Sequence, residues 1–372
     1  MMGTWTAALF IAFLAGLWFV LYHLSSSRDK NCSSSLPPGP LGLPLIGHLH
    51  MLGVLPHHNL RKMAKKYGPI MSIRLGLIPT IVVSSPGFAE LFLKTHDLVF
   101  ASRPKFLAAE YMSYGQKNLG AAPYGQYWRN IRKLCTLELL SNSKVEFFKS
   151  MRREDLVNFV ESLRTTAQDG SLIDISAKVE SLINDVMYRM VVGLKDDRFK
   201  LKPNIQEGVR LAGLFNFADY IPYVGALDLQ GLGRRMKAVS KMVDELLDKI
   251  IEEHLSDAKE VQGTHMDFID VMLSLIEAND SRKLHLGRDH VKAITLDMLA
   301  AGMHTSSTTV EWVIAELLKH PRVMKLVQEE LQRVVGLDRM VEETDFIKLD
   351  YMKMVIKGNH EASSSSPIAH SS

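Results

Sequence analysis

The chain has 372 residues, of which 47% are hydrophobic and 23% are charged, so it can bury a large core and is not a disordered protein. Its formal net charge is only +3 and its basic residues are scattered, which argues against a nucleic-acid partner. The two cysteines, Cys32 and Cys135, lie far apart without a Cys-x-x-Cys or Cys/His pattern. This spacing argues against a disulfide framework or a zinc site and favours a reducing compartment, and we assign no metal ligand among the side chains.

The first predicted element is a membrane anchor at residues 1–24. Residues Thr4 to Leu24 carry no charge over 21 positions, about the length that crosses ~30 Å of hydrocarbon. A cleaved signal peptide is the alternative, but the stretch is too long for one and lacks both a basic start and a small-x-small end. Arg28 and Lys30 follow directly, so the positive-inside rule predicts one span with the body of the protein on the cytosolic side.

A proline-rich linker is predicted over residues 25–48, because "LPPGPLGLP" forbids a continuing helix and favours a stiff, extended chain. The body follows at residues 49–357. Two β-like runs, "IMSIRL" and "TIVVSS", are joined through Gly76 and Pro79 as in a hairpin. From Pro86 onward the apolar spacing is overwhelmingly helical. The predicted fold class is therefore mostly α, with a small β element and one N-terminal transmembrane helix.

The longest predicted helix runs from about Asp289 to Lys319 and contains "LAAGMHTSSTTVEW". Ala301 and Gly302 leave its surface bare, so a flat ligand could approach the backbone closely. The hydroxyls that follow, Thr305 among them, can bond back to carbonyls one turn earlier, which would loosen the helix and open a polar groove. The alternative is a buried helix whose small residues allow tight packing, and this stretch taken alone favours that alternative.

A second candidate site is the stretch "APYGQYWRNIRKLC", which places Trp128 and Arg132 four residues apart on one face of a short helix. An indole N–H beside a guanidinium suits an anionic carboxylate on a large ligand. The alternative is a helix whose tryptophan lies in the core and whose arginines are solvated, which is the more common arrangement.

Together, the anchor, "LPPGPLGLPLIGHL", "FASRP", "YGQYWRNIRKL" and "AAGMHTSSTTVEWVIAELLKHPRVMKLVQEEL" resemble a plant microsomal cytochrome P450 of the A-type clan. The resemblance implies a haem-thiolate monooxygenase in the endoplasmic reticulum membrane that receives electrons from an NADPH-cytochrome reductase and hydroxylates small lipophilic metabolites. It implies that Trp128 and Arg132 meet a haem propionate. It also implies that Ala301, Gly302 and Thr305 line the oxygen groove, and that "FASRPKFLAAEYMSYGQKNL" covers the substrate.

The chain departs from the family pattern at two places. His304 stands where an acidic residue usually precedes the threonine, which changes the proton-delivery arrangement of Thr305. The Glu-x-x-Arg motif and the loop that carries the haem-ligand cysteine are absent, and neither Cys32 nor Cys135 has that context. We therefore expect a C-terminally truncated fold that lacks an axial thiolate and is inactive.

Residues 358–372, "GNHEASSSSPIAHSS", break the helical pattern that reaches Lys357, and we interpret them as an aberrant tail. An allowed choice of synonymous codons, read after loss of one nucleotide, encodes Glu-Thr-Met-Arg at this point and would continue the family's helix. A retained intron with its donor at Gly358-Asn359 is the alternative. A different class of function also remains open, namely a non-catalytic, membrane-anchored helical protein that binds partners or hydrophobic ligands.

Overall fold

The computed structural model describes five stretches of the chain, residues 13–18, 36–225, 227–257, 267–277 and 286–365. Within these stretches no helix combines the length and the apolar character needed to cross a membrane. Residues 13–18 are helical and are the described part of α1. The rest of the predicted anchor lies outside the described residues, so the anchor stays a prediction.

Helices dominate the described chain, as the sequence predicts, and a single hairpin is the β element. In chain order the elements are α2 (Leu49–Leu52), α3 (Pro56–Tyr67), β1 (Ile70–Leu75), β2 (Ile78–Val83), α4 (Pro86–Glu90), a π turn (Leu91–Thr95), α5 (Asp97–Phe100), α6 (Leu107–Met112), α7 (Gln126–Leu134), a second π turn (Cys135–Leu139), α8 (Asn142–Phe147), α9 (Lys149–Gln168), α10 (Ile175–Val192), α11 (Leu201–Ala212), α12 (Phe217–Tyr220), α13 (Pro222–Gly225), α14 (Leu232–Asp257), α15 (Phe268–Glu277), α16 (Arg288–Lys319), α17 (Pro321–Val334), a 3₁₀ turn (Glu343–Lys348) and α18 (Asp350–Ser365).

The chain divides into two units, the first made of residues 1–107 and 214–235 and the second of residues 108–213 and 236–372. The first unit contains the antiparallel hairpin. Gly76 forms its turn with φ of 59°, a left-handed conformation that suits glycine, and a Cβ there would overlap a backbone carbonyl oxygen of α12. Pro79 was expected in the turn, but it lies within β2, opposite Arg74.

The second half of the predicted linker packs on the hairpin. Ser72 N donates to the Pro38 carbonyl oxygen at 3.0 Å. The His48 ring accepts from Arg74 N at 2.8 Å through Nδ1 and donates to the Pro40 carbonyl oxygen at 2.9 Å through Nε2. This part of the chain is therefore held by β1, because its backbone polar groups find their partners there.

The core of the second unit surrounds the first half of α16. Helices α10, α14 and α15 contribute fully buried side chains, among them Tyr188, Leu247 and Ile269. From α16 itself Leu299 is fully buried in the same cluster. The long helix has 32 residues and so extends about 48 Å. Its bounds confirm the predicted helix to within one residue.

The helix expected to end near Lys357 continues in the structure to Ser365, so that expectation was wrong. Glu361, Ala362 and the serines after it tolerate helical backbone, and the first proline beyond Asp350 is Pro367. The break in the apolar pattern therefore does not mark the end of the helix.

Candidate functional site

The first part of the site is the outer face of α7. The Arg132 guanidinium lies 5.1 Å from the centre of the Trp128 ring, so the two side chains are adjacent as the i, i+4 spacing predicts. With Arg129, Lys133, Thr136 and Leu137 they line an open cleft of about 400 Å³. Among the residues that the structure describes, no carboxylate lies within ion-pair distance of Arg132. The cleft is therefore cationic and suits an anionic group.

Trp128 is held from within the protein. Its indole Nε1–H donates to the Leu119 carbonyl oxygen at 3.1 Å, and the residue is half-buried. The sequence suggests the indole N–H as a donor to a bound carboxylate, but in this structure the indole N–H donates to a carbonyl of its own chain. Arg132, which is exposed, is the member of the pair that can reach an anion.

The second part of the site is the middle of α16. Ala301 and Thr305 lie one turn apart and are both exposed, and the Thr305 hydroxyl donates to the Ala301 carbonyl oxygen at 2.6 Å. Ser307 and Thr309 bond back to carbonyls one turn earlier in the same way. The back-bonding predicted from the sequence is thus present. The predicted loosening is not, because the helix continues unbroken from Arg288 to Lys319.

Gly302 faces a different direction from Ala301. A Cβ at Gly302 would overlap the terminal methyl of Met187, so this glycine permits close packing of α16 on α10. His304 is half-buried, and its backbone carbonyl accepts from the Ser307 hydroxyl at 3.1 Å. The structure therefore brings Ala301 and Thr305 together on one open face and separates Gly302 from them.

The segment at residues 117–121 joins the two parts of the site. Its first three residues fall in the stretch expected to cover the substrate, but sequence reasoning missed their link to α16 through Asp297. Both carboxylate oxygens of Asp297 accept hydrogen bonds from this segment, one from Asn118 Nδ2 at 2.5 Å and one from Gly120 N at 2.8 Å. The spacing in the sequence could have pointed to Asp297. It precedes Ala301 by four residues and Thr305 by eight, and so lies on the same face of α16.

Cys135 is the described cysteine, and its surroundings do not fit an iron ligand. The residue is 1% exposed and belongs to the core around α16. Burial raises the pKa of its thiol to about 12, and the negative charge of Asp297 adds to the effect. A thiol in this state is protonated at neutral pH, whereas metal ligation and nucleophilic chemistry need the thiolate. Cys32 lies outside the described residues.

One cluster in the second unit has the composition of a metal site, formed by His254, Asp267 and Asp270. Both ring nitrogens of His254 are engaged as donors, Nδ1–H to the Ile250 carbonyl oxygen and Nε2–H to Asp267 Oδ2, each at 2.8 Å. A doubly protonated ring has no lone pair for a metal. The cluster is therefore an ion pair that holds the end of α14 to the start of α15.

Comparison with known proteins identifies a common family. The family profile described as Cytochrome P450 matches residues 37–358. The chain is 49% identical over 354 residues to "Cytochrome P450 CYP736A12" of Panax ginseng, a match that covers 94% of this chain and 70% of that protein. It is 37% identical over 352 residues to "Melianol synthase CYP71BQ4" of Citrus sinensis, covering 92% and 68%. It is also 37% identical over 360 residues to "Flavonoid 3'-monooxygenase CYP75B137" of Crocosmia x crocosmiiflora, covering 94% and 70%.

The fold is shared with solved structures as well. A zebrafish cytochrome P450 determined with progesterone superposes with a TM-score of 0.68 at 25% identity, over 82% of this chain and 71% of the other. A second zebrafish structure, with abiraterone, gives a TM-score of 0.65 over 81% and 68%. The similarity to curated and solved proteins thus covers most of this chain and about 70% of theirs.

Proposed function

The chain belongs to the cytochrome P450 family, and we propose that it carries the oxygen-facing part of a plant monooxygenase that hydroxylates small lipophilic metabolites. The observation that carries the proposal is the open face of Ala301 and Thr305 on the long helix. A bare alanine beside a threonine hydroxyl leaves room for a flat ligand and places a proton donor next to it.

Membership of the family implies a haem cofactor. The described residues suit one edge and one face of such a group. Arg132 is exposed above the Trp128 ring without a carboxylate partner among the described residues, so it is suited to a propionate. Ala301 offers no side chain beyond Cβ, so the open face can lie close to a planar group. When bound, the haem supplies the oxygen chemistry.

Thr305 is the proposed proton-delivery residue. Its hydroxyl proton is held on the Ala301 carbonyl oxygen, and the side chain can turn that proton outward by giving up one hydrogen bond to backbone. His304, the residue before it, takes the place of an acid and is the proposed second member. In a longer chain that includes the family's cysteine loop, His304→Asp is expected to increase product formed per NADPH consumed. An unchanged ratio would remove His304 from the relay.

The 372-residue chain is proposed to be inactive by itself, and the support is that the part of the chain described by the structure offers no suitable thiolate. Cys135 is buried and its pKa is raised to about 12, which keeps its sulfur protonated. The test is a carbon-monoxide difference spectrum of the reduced, haem-supplemented chain. We expect the spectrum to lack the strongly red-shifted absorption band that thiolate-ligated haem gives with carbon monoxide. Such a band would overturn this part of the proposal, and the variants Cys32→Ser and Cys135→Ser would show which cysteine is the ligand.

The role of Arg132 has a separate test in hemin binding. Arg132→Ala is expected to weaken hemin binding about tenfold, the effect of losing one charge-assisted contact. Arg322→Ala, at an exposed arginine on α17, is the matched control and should leave the affinity unchanged. Equal affinities for the two variants would exclude Arg132 from the propionate site.

Location and electron supply are proposed from the family and from the predicted anchor. The chain would lie in the endoplasmic reticulum membrane with a single span and its body in the cytosol, where an NADPH-cytochrome reductase can reach it. Asn31 lies in an Asn-Cys-Ser sequon directly after the anchor and reports the topology. Glycan on Asn31 in microsomes would place the body in the lumen and contradict this orientation.

The substrate is proposed only as a class. The relatives are named for different products and reactions, melianol synthase and flavonoid 3'-monooxygenase among them. What they share with this chain is the helical framework, so small lipophilic metabolites are the finest class that the similarity supports. A chain that binds such compounds without hemin would instead support a non-catalytic binding protein.

A further inference from the structure

The segment at residues 117–121, here called the bridging segment, contacts α16 through the exposed ion pair between Lys117 and Asp289 and through the less exposed hydrogen bonds of Asp297. Asp297 uses both carboxylate oxygens on it, with Asn118 Nδ2 at 2.5 Å from Oδ1 and Gly120 N at 2.8 Å from Oδ2. Hydrogen bonds to an ionised acceptor are stronger than neutral ones. The two bonds together set both the position and the orientation of the backbone between Asn118 and Gly120.

The amide of Asn118 has only one orientation that satisfies its neighbours. Its Nδ2 donates to Asp297, while its Oδ1 accepts from Ala121 N at 2.9 Å. The residue is 8% exposed, so water does not offer a ready substitute for either bond. Gly120 allows the backbone to approach Asp297 closely, because a Cβ at residue 120 would lie only 3.1 Å from Asp297 Oδ1.

Leu119, which lies between Asn118 and Gly120, binds the tryptophan of the candidate site. The Leu119 carbonyl oxygen accepts from Trp128 Nε1 at 3.1 Å, and the Arg132 guanidinium lies over the same ring. The orientation of the Leu119 carbonyl follows from the hydrogen bonds on either side of it. Asp297 is thus connected to the Trp128 ring by its two hydrogen bonds to the bridging segment and by the bond from Trp128 to Leu119.

We propose that Asp297 is a positioning residue that sets the Trp128–Arg132 pair relative to the open face of α16. Asp297, Ala301 and Thr305 lie on one face of the same helix, so a single rigid element would place both parts of the site. The consequence for hemin rests on the proposed function. The positioning itself concerns only this chain's own residues.

The test swaps the hydrogen-bond donor and acceptor between residues 118 and 297 by mutation. The measured quantity is the rate at which the Trp128 indole proton exchanges with solvent. The full chain is labelled with ¹⁵N-tryptophan, the Trp128 signal is assigned with Trp128→Phe, and exchange of its indole proton with D₂O is measured. Asp297→Asn leaves one oxygen for two donors and is expected to speed exchange about tenfold. Asn118→Asp places two carboxylates against each other and should speed it further.

The double variant Asn118→Asp with Asp297→Asn can form the same three hydrogen bonds, with the donor and acceptor between residues 118 and 297 reversed. The new amide at 297 can donate to the carboxylate at 118 and accept from Gly120 N, and the carboxylate can still accept from Ala121 N. We expect exchange within about twofold of the parent chain, a rescue that a purely additive loss of stability does not produce. Additive effects in the double variant, or unchanged exchange in both single variants, would overturn the proposal.

Two further variants keep the test decisive if a single variant folds poorly. Gly120→Ala introduces only a tight contact with Asp297 and is expected to speed indole exchange about threefold. Asp289→Asn removes a solvent-exposed ion pair to Lys117, in the same bridging segment, and is the matched control. Equal exchange in Gly120→Ala and Asp289→Asn would count against the role of Asp297.

Hemin titration of the same variants separates this inference from the proposed function. Asp297→Asn should weaken hemin binding about threefold, and the double variant should recover it. If Arg132→Ala leaves hemin binding unchanged while the indole result holds, the propionate site is wrong and the positioning by Asp297 stands. If hemin binding depends on Arg132 and the indole proton does not respond to Asp297, the reverse conclusion follows.

Discussion

Two stretches of α16 have the same backbone conformation and opposite surroundings. From Val291 to Leu296 six consecutive residues are buried, so the helix is covered on every side. Two turns later Ala301 and Thr305 face outward on an open side. The difference does not come from helix propensity. It comes from which other elements pack around each stretch.

The polar groups of the two stretches are satisfied in different ways. Lys292 is 5% exposed and pairs with Asp244 and Asp248 of α14, at 2.5 Å and 2.7 Å. Thr305, by contrast, bonds only to a carbonyl of its own helix. Polar groups in the covered stretch hold other elements in place, whereas those in the open stretch can change partners without disturbing another element.

The largest effect is expected from the core position next to the open stretch. Leu299→Ala removes a fully buried side chain and is expected to lower the free energy of unfolding by about 3 kcal/mol. Leu318→Ala makes the same change on the same helix at a residue that is 66% exposed, and should cost less than about 0.5 kcal/mol. Urea unfolding followed by circular dichroism compares the two variants. Similar losses would mean that burial does not distinguish the stretches.

The next prediction concerns the ion pair between His254 and Asp267, which lies outside α16. It tests how much this pair contributes to the free energy of unfolding. Burial alone lowers the pKa of His254, but the hydrogen bond and charge of Asp267 outweigh it and raise the pKa to about 9. Since the folded-state pKa lies above the ordinary 6.5, this stabilisation is complete below pH 6.5 and is lost as pH rises through 9. We expect the free energy of unfolding to fall by about 3 kcal/mol across that window.

The control for this pH dependence comes from the open stretch of α16. His254→Gln should remove the fall in stability between pH 6.5 and 9, whereas His304→Gln should preserve it. Unfolding free energies measured at several pH values in both variants decide the matter. A slope that survives in His254→Gln would show that another group is responsible.

A smaller effect is expected at the buried lysine of the covered stretch. Lys292→Met keeps most of the side-chain volume but leaves Asp244 and Asp248 facing each other, and should cost about 1 kcal/mol. The cost stays moderate because those aspartates are 40% and 42% exposed and remain hydrated. Lys319→Met, at a lysine 63% exposed on the same helix, serves as the control and should change stability little. A gain in stability for Lys292→Met would mean that the ion pair is not an anchor.

The smallest effect on stability is expected at Thr305 itself. Thr305→Ala removes a hydroxyl that bonds only within the helix and introduces a better helix former, so the free energy of unfolding should change by less than about 0.5 kcal/mol. Thr305→Val, which keeps the shape and loses the hydroxyl, is the companion variant. A loss of more than about 2 kcal/mol in either would place Thr305 with the covered stretch.

Apolar spacing was sufficient to predict the longest helix and the hairpin. The pattern from Asp289 to Lys319 predicts a helix that the structure extends by only one residue, and the two β-like runs pair as a hairpin. These predictions succeed because helix and strand periods are properties of neighbouring residues. The four-residue spacing of Trp128 and Arg132, and the back-bond from Thr305, follow from the same local geometry.

The tertiary structure alone decided which of these residues share a site and which do not. Gly302 and Ala301 are neighbours in sequence, yet one faces Met187 of α10 and the other is exposed, since the packing of α10 selects the side of the helix it covers. Asp297 contacts Asn118 across 179 positions of sequence, and no local pattern encodes such a pair. Sequence therefore determined the helices and their family, while the contacts between distant segments decided which helix faces are covered and which stay open to a ligand.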